Sequence, residues 1–265
     1  MSWDLPSPMR PLVEGNELFV GEWTCPGARQ ARTLEQAHYV ELDLLRAGMH
    51  VRTLGRQRSV VDPTTAALQV PGDEYWMAST GEQPQRSTLL LLRGALAEEL
   101  GPHVRAQVLQ VSAEVARLHF KLLRDTDPLA REEVALALVH RFVRDAVPER
   151  TRAASVTPAW RQLTEELQHQ VATRFAERLT LEALASKVHA SPFHASRVFH
   201  AVTGETLHRH LTRVRLRAAL FELEEASGRL TDVALGVGFS SHSHFTSAFR
   251  QEFGCTPSAL ARGRG

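Results

Sequence analysis

One pattern is written twice between Leu181 and Pro257, and it limits the fold of this chain more than any other feature. In the first copy Leu181, Leu184, Ala185 and Val188 fall at i, i+3, i+4 and i+7, and Ala195, Val198, Phe199 and Val202 repeat that spacing. In the second, Leu230, Val233, Ala234 and Val237 lead to Phe245, Ala248, Phe249 and Phe253. Such spacing lays one apolar stripe on each of two short helices. Phe199 stands five residues before Gly204 and Phe249 five before Gly254, with a Thr two residues after each Gly. Leu181 to Leu230 is 49 residues and Phe199 to Phe249 is 50, so the copies differ by one residue in the turn between their helices. The chain carries an internal repeat of a helix-turn-helix.

The opposite faces of the second helices carry the chemistry. Phe193, Ser196, Arg197 and His200 line up on the first, and His242, Ser243, Thr246, Ser247 and Arg250 on the second. Most of these side chains are short and hydrogen-bonding or cationic, as a helix entering the major groove requires. A lone amphipathic helix with such a face is ordinarily just solvated; its duplication points to DNA. Between the copies, Leu207, Leu211, Val214, Ala218 and Phe221 mark one long helix of nearly twenty residues. It would be about 28 Å long, against ~34 Å between successive major-groove faces. The spacer can therefore present two reading helices to adjacent grooves. Arg209, Arg213 and Arg217 give it a basic edge within reach of phosphates, with solvated surface arginine as the ordinary alternative.

These residues resemble the AraC/XylS family of bacterial transcription regulators. The resemblance covers about the last hundred residues and rests on Val233-Ala234, Val237-Gly238-Phe239-Ser240, Ser243-His244-Phe245, Ala248-Phe249-Arg250 and Phe253-Gly254-Cys255-Thr256-Pro257. Arg215-Leu216 followed by Ala219, and Ser196-Arg197-Val198-Phe199, also agree. The departures are Glu205-Thr206, where members often have Ser-Pro, and Leu260-Ala261, where an aromatic residue and Arg are usual. The resemblance implies base-contacting roles for Phe193, Ser196, Arg197, His242, Ser243, Thr246 and Ser247. Arg197 is the strongest, because a guanidinium can bond O6 and N7 of one guanine; Arg250, further along its helix, is expected on phosphate. Since the copies differ in these residues, one protomer should favour an asymmetric site.

The length of 265 residues implies two domains. The formal charge is only +1, but from Ala159 onward 13 Lys and Arg face 10 Asp and Glu. Phosphate attraction thus depends on a few placed arginines and on helix N-termini. Eight of the 13 histidines also follow Ala159, so binding is expected to strengthen as pH falls through their titration range, which measurement at two pH values checks. The two cysteines, Cys25 and Cys255, fall in different domains, which excludes a disulfide framework and suits a reducing cytoplasm. Met1 to Pro11, with three prolines and no apolar stretch, reads as neither a signal peptide nor a membrane span.

The first hundred residues alternate short β-prone runs (Leu18–Val20, Tyr39–Leu44, Val51–Leu54, Ser59–Val61, Ala67–Val70, Tyr75–Met77 and Thr88–Leu92) with turn signals such as Asp62-Pro63 and Pro71-Gly72-Asp73. That rhythm predicts an antiparallel barrel or sandwich, and the family resemblance implies a cupin-like sensor barrel. Trp23, His38, Tyr75 and Trp76 are candidate walls of an effector pocket, with core packing as the alternative for the aromatics. Metal cupins place two histidines one residue apart; this stretch has only His38 and His50, so no metal or other cofactor is expected. A last strand is predicted within Val104–Val111. Two amphipathic helices follow, one capped by Ser112 and ended at Asp127-Pro128, the next ending near Pro148; they pack onto the barrel or form a dimer surface.

The expected fold is therefore α+β: a cupin-like β-barrel domain with trailing helices over residues 1–147, a linker over 148–158, an all-α domain of two helix-turn-helix units joined by a long helix over 159–261, and a disordered tail over 262–265. The expected function is sequence-specific DNA binding in transcription regulation, without catalysis and in the cytoplasm. The partners are double-stranded DNA and a small-molecule effector, with RNA polymerase and a second copy of the chain left open. The alternatives are a regulator whose first domain only dimerises and a metal-dependent cupin enzyme fused to a DNA-binding domain.

Overall fold

The computed structural model describes residues 3, 5, 9–25, 32–79, 84–99, 105–146, 157–225 and 229–262. The chain divides into two compact units, Met1–Glu149 and Arg150–Gly265. Residues 148–156 of the expected linker and 263–265 of the expected tail lie outside the described residues.

In the first unit, β1 (Met9–Glu14), β2 (Leu18–Cys25), β9 (Gln85–Leu92), β4 (Val40–Ala47), β7 (Thr65–Gln69) and β10 (Gln107–Gln110) lie in that order in one antiparallel sheet. β3 (Arg32–Gln36), β8 (Glu74–Ser79), β5 (His50–Leu54) and β6 (Gln57–Val61) form a second. Alternation along each strand separates two faces of the larger sheet. On one, Val20 pairs with Leu90, Leu90 with Leu42, and Leu42 with Leu68. The predicted helices cover it: His119 of α2 (Ala113–Arg124) meets Thr88 Oγ1 at 2.8 Å, and Arg131 of α3 (Pro128–Ala146) donates to the Leu12 carbonyl at 3.2 Å. As expected, Ser112 caps α2. The other face turns to the second sheet, where Leu45 and Ala67 pack with Val61 and Val108.

Among the described residues the strands form two open sheets, not the expected closed barrel. β6 reaches β7 through a corner instead of a ladder. There Asp62 Oδ1 accepts from the Thr64 amide at 2.8 Å and its hydroxyl at 2.6 Å, while Thr65 Oγ1 accepts from the Asp62 amide at 2.9 Å. Polar groups satisfied locally leave nothing to extend the ladder. The sequence marks neither β1, β3 nor the short α1 (Gly94–Glu99). The Glu17 carboxylate accepts from the Ala95 and Leu96 amides at 3.1 and 3.3 Å, so α1 starts on a cap far away in the chain.

The second unit contains α4 (Pro158–Arg174), α5 (Leu181–Lys187), α6 (Pro192–Thr203), α7 (Leu207–Glu225), α8 (Leu230–Gly236), α9 (His242–Phe253) and α10 (Pro257–Ala261). The stripes fall inward. Leu184, Ala185, Ala195 and Phe199 close on Leu167 and Val171 of α4 and Leu211 of α7; Val233, Ala234, Phe245, Phe249 and Phe253 are likewise buried. The repeat reaches the helix ends. Ser191 Oγ accepts from the His194 amide and Ser241 Oγ from the His244 amide, both at 3.2 Å. Gly204 and Gly254 end α6 and α9 at φ +76° in each case. The Thr two residues later caps the next helix: Thr206 Oγ1 accepts from Arg209 and Thr256 Oγ1 from Ala259, both at 3.2 Å. The Gly-x-Thr spacing thus stops one helix and starts another.

Candidate nucleic-acid interface

The polar faces of α6 and α9 lie at the surface. Arg197 and His200 are exposed on α6, as are His242, Ser243, Ser247 and Arg250 on α9. Ser196 is half-buried. Phe193 lies in the first turn of α6, with its side chain outside the described set. Thr246 is half-buried, and its Oγ1 is covered with no hydrogen-bond partner. The Arg197 guanidinium lies 5.7 Å from the ring of Trp160, on α4. Stacking of this kind restricts a long side chain. Of the other histidines here, burial holds His169 below its usual pKa and His210 is bonded to Glu205, while His200 and His242 stay open to solvent.

α7 does not offer the predicted basic edge, and this corrects the sequence reading. Arg209 is exposed, but Arg213 Nη1 bonds Glu205 at 3.2 Å and Arg217, 1% exposed, bonds Glu252 of α9 at 3.2 Å. Each four-residue step overshoots a full helical turn by about 40°. Two steps carry the series from solvent round to the packed side. Burial raises the cost of a charged Glu205, yet the hydrogen bond from His210 and the charge of Arg213 outweigh it and hold the carboxyl below its usual range.

The end of α4 locks the second copy. Arg215 Nε donates to the Phe175 carbonyl and Nη2 to the Glu177 carbonyl, both at 2.8 Å. The turn of the second copy rests on the same backbone: Gly238 has φ +89°, and a Cβ there would lie 2.8 Å from the carbonyl oxygens of both Phe175 and Ala176. That explains the glycine of Val237-Gly238-Phe239 twice over, by backbone angle and by space.

In the first unit the four candidate effector residues are not gathered in one place. Trp23 pairs with Ser87 on the side of the larger sheet that carries Leu45, facing the second sheet. Tyr75 and Trp76 are successive and point to opposite faces. Tyr75 lies under the Arg52 guanidinium at 3.8 Å; Trp76 is exposed, beneath Arg32 at 4.3 Å and cross-strand from Leu34. His38 is exposed between β3 and β4. Instead, a polar cluster not foreseen from sequence lies between the sheets. His50 Nε2 stands 3.8 Å from Asp43 Oδ2, and Gln69, with its amide oxygen turned to Arg52, accepts from both terminal guanidinium nitrogens at 2.6 Å. Asp43 Oδ1 and Arg52 Nε are buried without a hydrogen-bond partner. Burial pushes the Glu41 carboxyl up to about 7, against the opposing pull of the His38 backbone and Arg52. The signal was present: Glu41 and Asp43, then His50 and Arg52, each at i, i+2 on a strand, mark one face. Among the described residues no group of His, Cys, Asp and Glu could hold a metal ion, and no helix is long and apolar enough to cross a membrane.

Comparison with known proteins adds the following. A family model described as a helix-turn-helix domain matches residues 184–263. The bifunctional transcriptional activator/DNA repair enzyme AdaA of Bacillus subtilis (strain 168) is 37% identical over 83 residues, 31% of this chain and 39% of that protein. The HTH-type transcriptional activator RhaS of Escherichia fergusonii is 36% identical over 90 residues, 34% of this chain and 32% of that protein. The chain thus spans well under half the length of either relative. A solved transcriptional regulator with an AraC-type DNA-binding domain, from Chromobacterium violaceum, is 25% identical over 41% of this chain and 97% of its own, with a TM-score of 0.38. Residues 184–263 thus match a helix-turn-helix domain, and the C-terminal unit with its paired helix-turn-helix units is similar to parts of these transcriptional activators.

Proposed function

We propose that the chain is a sequence-specific DNA-binding transcription regulator of the AraC type, acting in the cytoplasm without catalysis. The observation that carries this is the pair of exposed, unlike polar faces on α6 and α9, joined by the single 19-residue helix α7. Its length of about 28 Å suits two major grooves on one side of a duplex. Arg197, steadied by Trp160, reads a base, and Arg250 takes a phosphate. RNA polymerase and a second copy of the chain are the protein partners of this reading. Selection of bound duplexes from random DNA, followed by footprinting, tests it. Two protected segments one helical turn apart on one face are expected; a single protected groove, or no enriched sequence, defeats the reading.

The first unit is read as a cupin-like sensor whose effector lies between its sheets, against Asp43, His50 and Arg52, rather than against Trp76. The unpartnered polar atoms there favour a ligand that both donates and accepts hydrogen bonds. Melting of the full chain with panels of small sugars, amino acids and carboxylates should show a rise that is lost in Arg52→Met. No rise with any of them favours a first unit that only dimerises.

A further inference from the structure

We propose that the charges linking Glu205, Arg213, Glu252 and Arg217 act as a spacing gauge. They hold α9 at a fixed angle to α7, and so decide how far apart the two sequence boxes in DNA must lie. The inference rests on the two-helix DNA reading above.

The chain of contacts runs from one reading helix to the other. Glu205 follows Gly204, the residue that ends α6, and takes His210 at 3.0 Å and Arg213 at 3.2 Å. Arg213 reaches onward with Nε to Glu252 at 3.7 Å, and Arg217 meets the same carboxylate at 3.2 Å. At about 100° per residue, Glu252 falls within the Phe245–Phe249 stripe, opposite Ser243, Ser247 and Arg250. It touches no DNA in any pose that uses that reading face; among the described residues it reaches Arg213 and Arg217.

Apolar packing alone would let α9 slide or turn on α7, because hydrophobic burial has no direction. A guanidinium that is 1% exposed has no such freedom, since rotating α9 would strand the Arg217 charge away from water. Stability does not account for these charges, because well-packed apolar side chains often serve a buried site at least as well. Orientation does account for them. The brace is also not part of the repeat: the position matching Glu205 in the second copy, 50 residues on, is Cys255.

The test uses the full chain and a selected duplex whose two boxes are moved apart or together by single base pairs. Wild type should lose about tenfold in affinity per base pair of displacement, in the range of a mismatched pair. The double variant R217M/E252M keeps an apolar fill; its melting temperature and its binding to the first box alone should persist, while the spacing preference falls below about threefold. E205Q, which leaves the Arg217–Glu252 pair in place, should broaden the profile less. A double variant that folds yet keeps the wild-type profile overturns the gauge alone. Should the double variant not fold, an E205Q profile identical to wild type overturns it. A wild-type protein indifferent to the second box overturns both the gauge and the two-helix reading.

Discussion

The two helix-turn-helix copies are alike where the backbone needs a partner and unlike where each meets different neighbours. Both start the second helix on a serine whose Oγ takes an amide at 3.2 Å, and both end it on a glycine at φ +76°. Their turns differ. His189 stands where the second copy has Gly238; it tolerates φ +51° and is exposed, whereas Gly238 sits against two carbonyl oxygens of the α4 end. The cores differ as well. The first is mainly aliphatic, while the second stacks Phe245, Phe249 and Phe253 at centroid distances of 5.5 and 4.5 Å. At matching places on the reading faces stand Ser196 and Thr246, Arg197 and Ser247, His200 and Arg250. A duplicated unit keeps its caps because every helix has the same unsatisfied ends. It loses likeness wherever different parts of the fold lie opposite.

The turns should give the largest asymmetry. Gly238→Ala is expected to cost about 2–4 kcal/mol, adding positive-φ strain to a backbone clash, and to erase the second protected segment of the footprint. His189→Gly should shift stability by no more than about 1 kcal/mol. Comparable urea-unfolding losses for the two would break the contrast. Next come the reading residues. Arg197→Ala should cost roughly 1–3 kcal/mol on the selected site and far less on random DNA, with Ser247→Ala costing about 1 kcal/mol or less. An equal loss for Arg197→Ala on both kinds of DNA would show that it only grips the backbone.

The caps should behave as twins. Ser191→Ala and Ser241→Ala are each expected to cost about 1 kcal/mol, and thermal melting that separates them widely would argue against equal roles. The smallest effect is the pH response of Glu205. Its folded pKa is lowered, so its contribution is present above the unfolded value near 4.5 and is lost as pH falls through the folded one. E205Q should flatten that acid limb in titrations between pH 3 and 6. Cys255 offers the second copy no equivalent.

Much of this was legible in the residues. The stripes, the Ser112 cap, the long spacer and the polar faces all obey spacing rules that act within one or two helical turns. The strand rhythm and the Asp62-Pro63 corner were equally local. Arg213 and Arg217 were misread because their spacing alone fits a solvated edge as well as a brace; only Glu252, 35 residues beyond Arg217, decides between them. That Trp76 is exposed while Tyr75 is not was hidden because the parity of a strand, not its composition, sets which neighbour of a pair faces inward. α1 was missed because its cap is Glu17.

By itself, then, the order of residues determined which segments coil, where they stop and which side of each is oily, since those preferences come from neighbours a few bonds apart. Folding alone decided that the sheets stay open, that acids and bases gather between them, and that two arginines turn from solvent to hold the second reading helix. Those outcomes depend on groups far apart in the chain, and burial fixes the worth of each charge only once they have met.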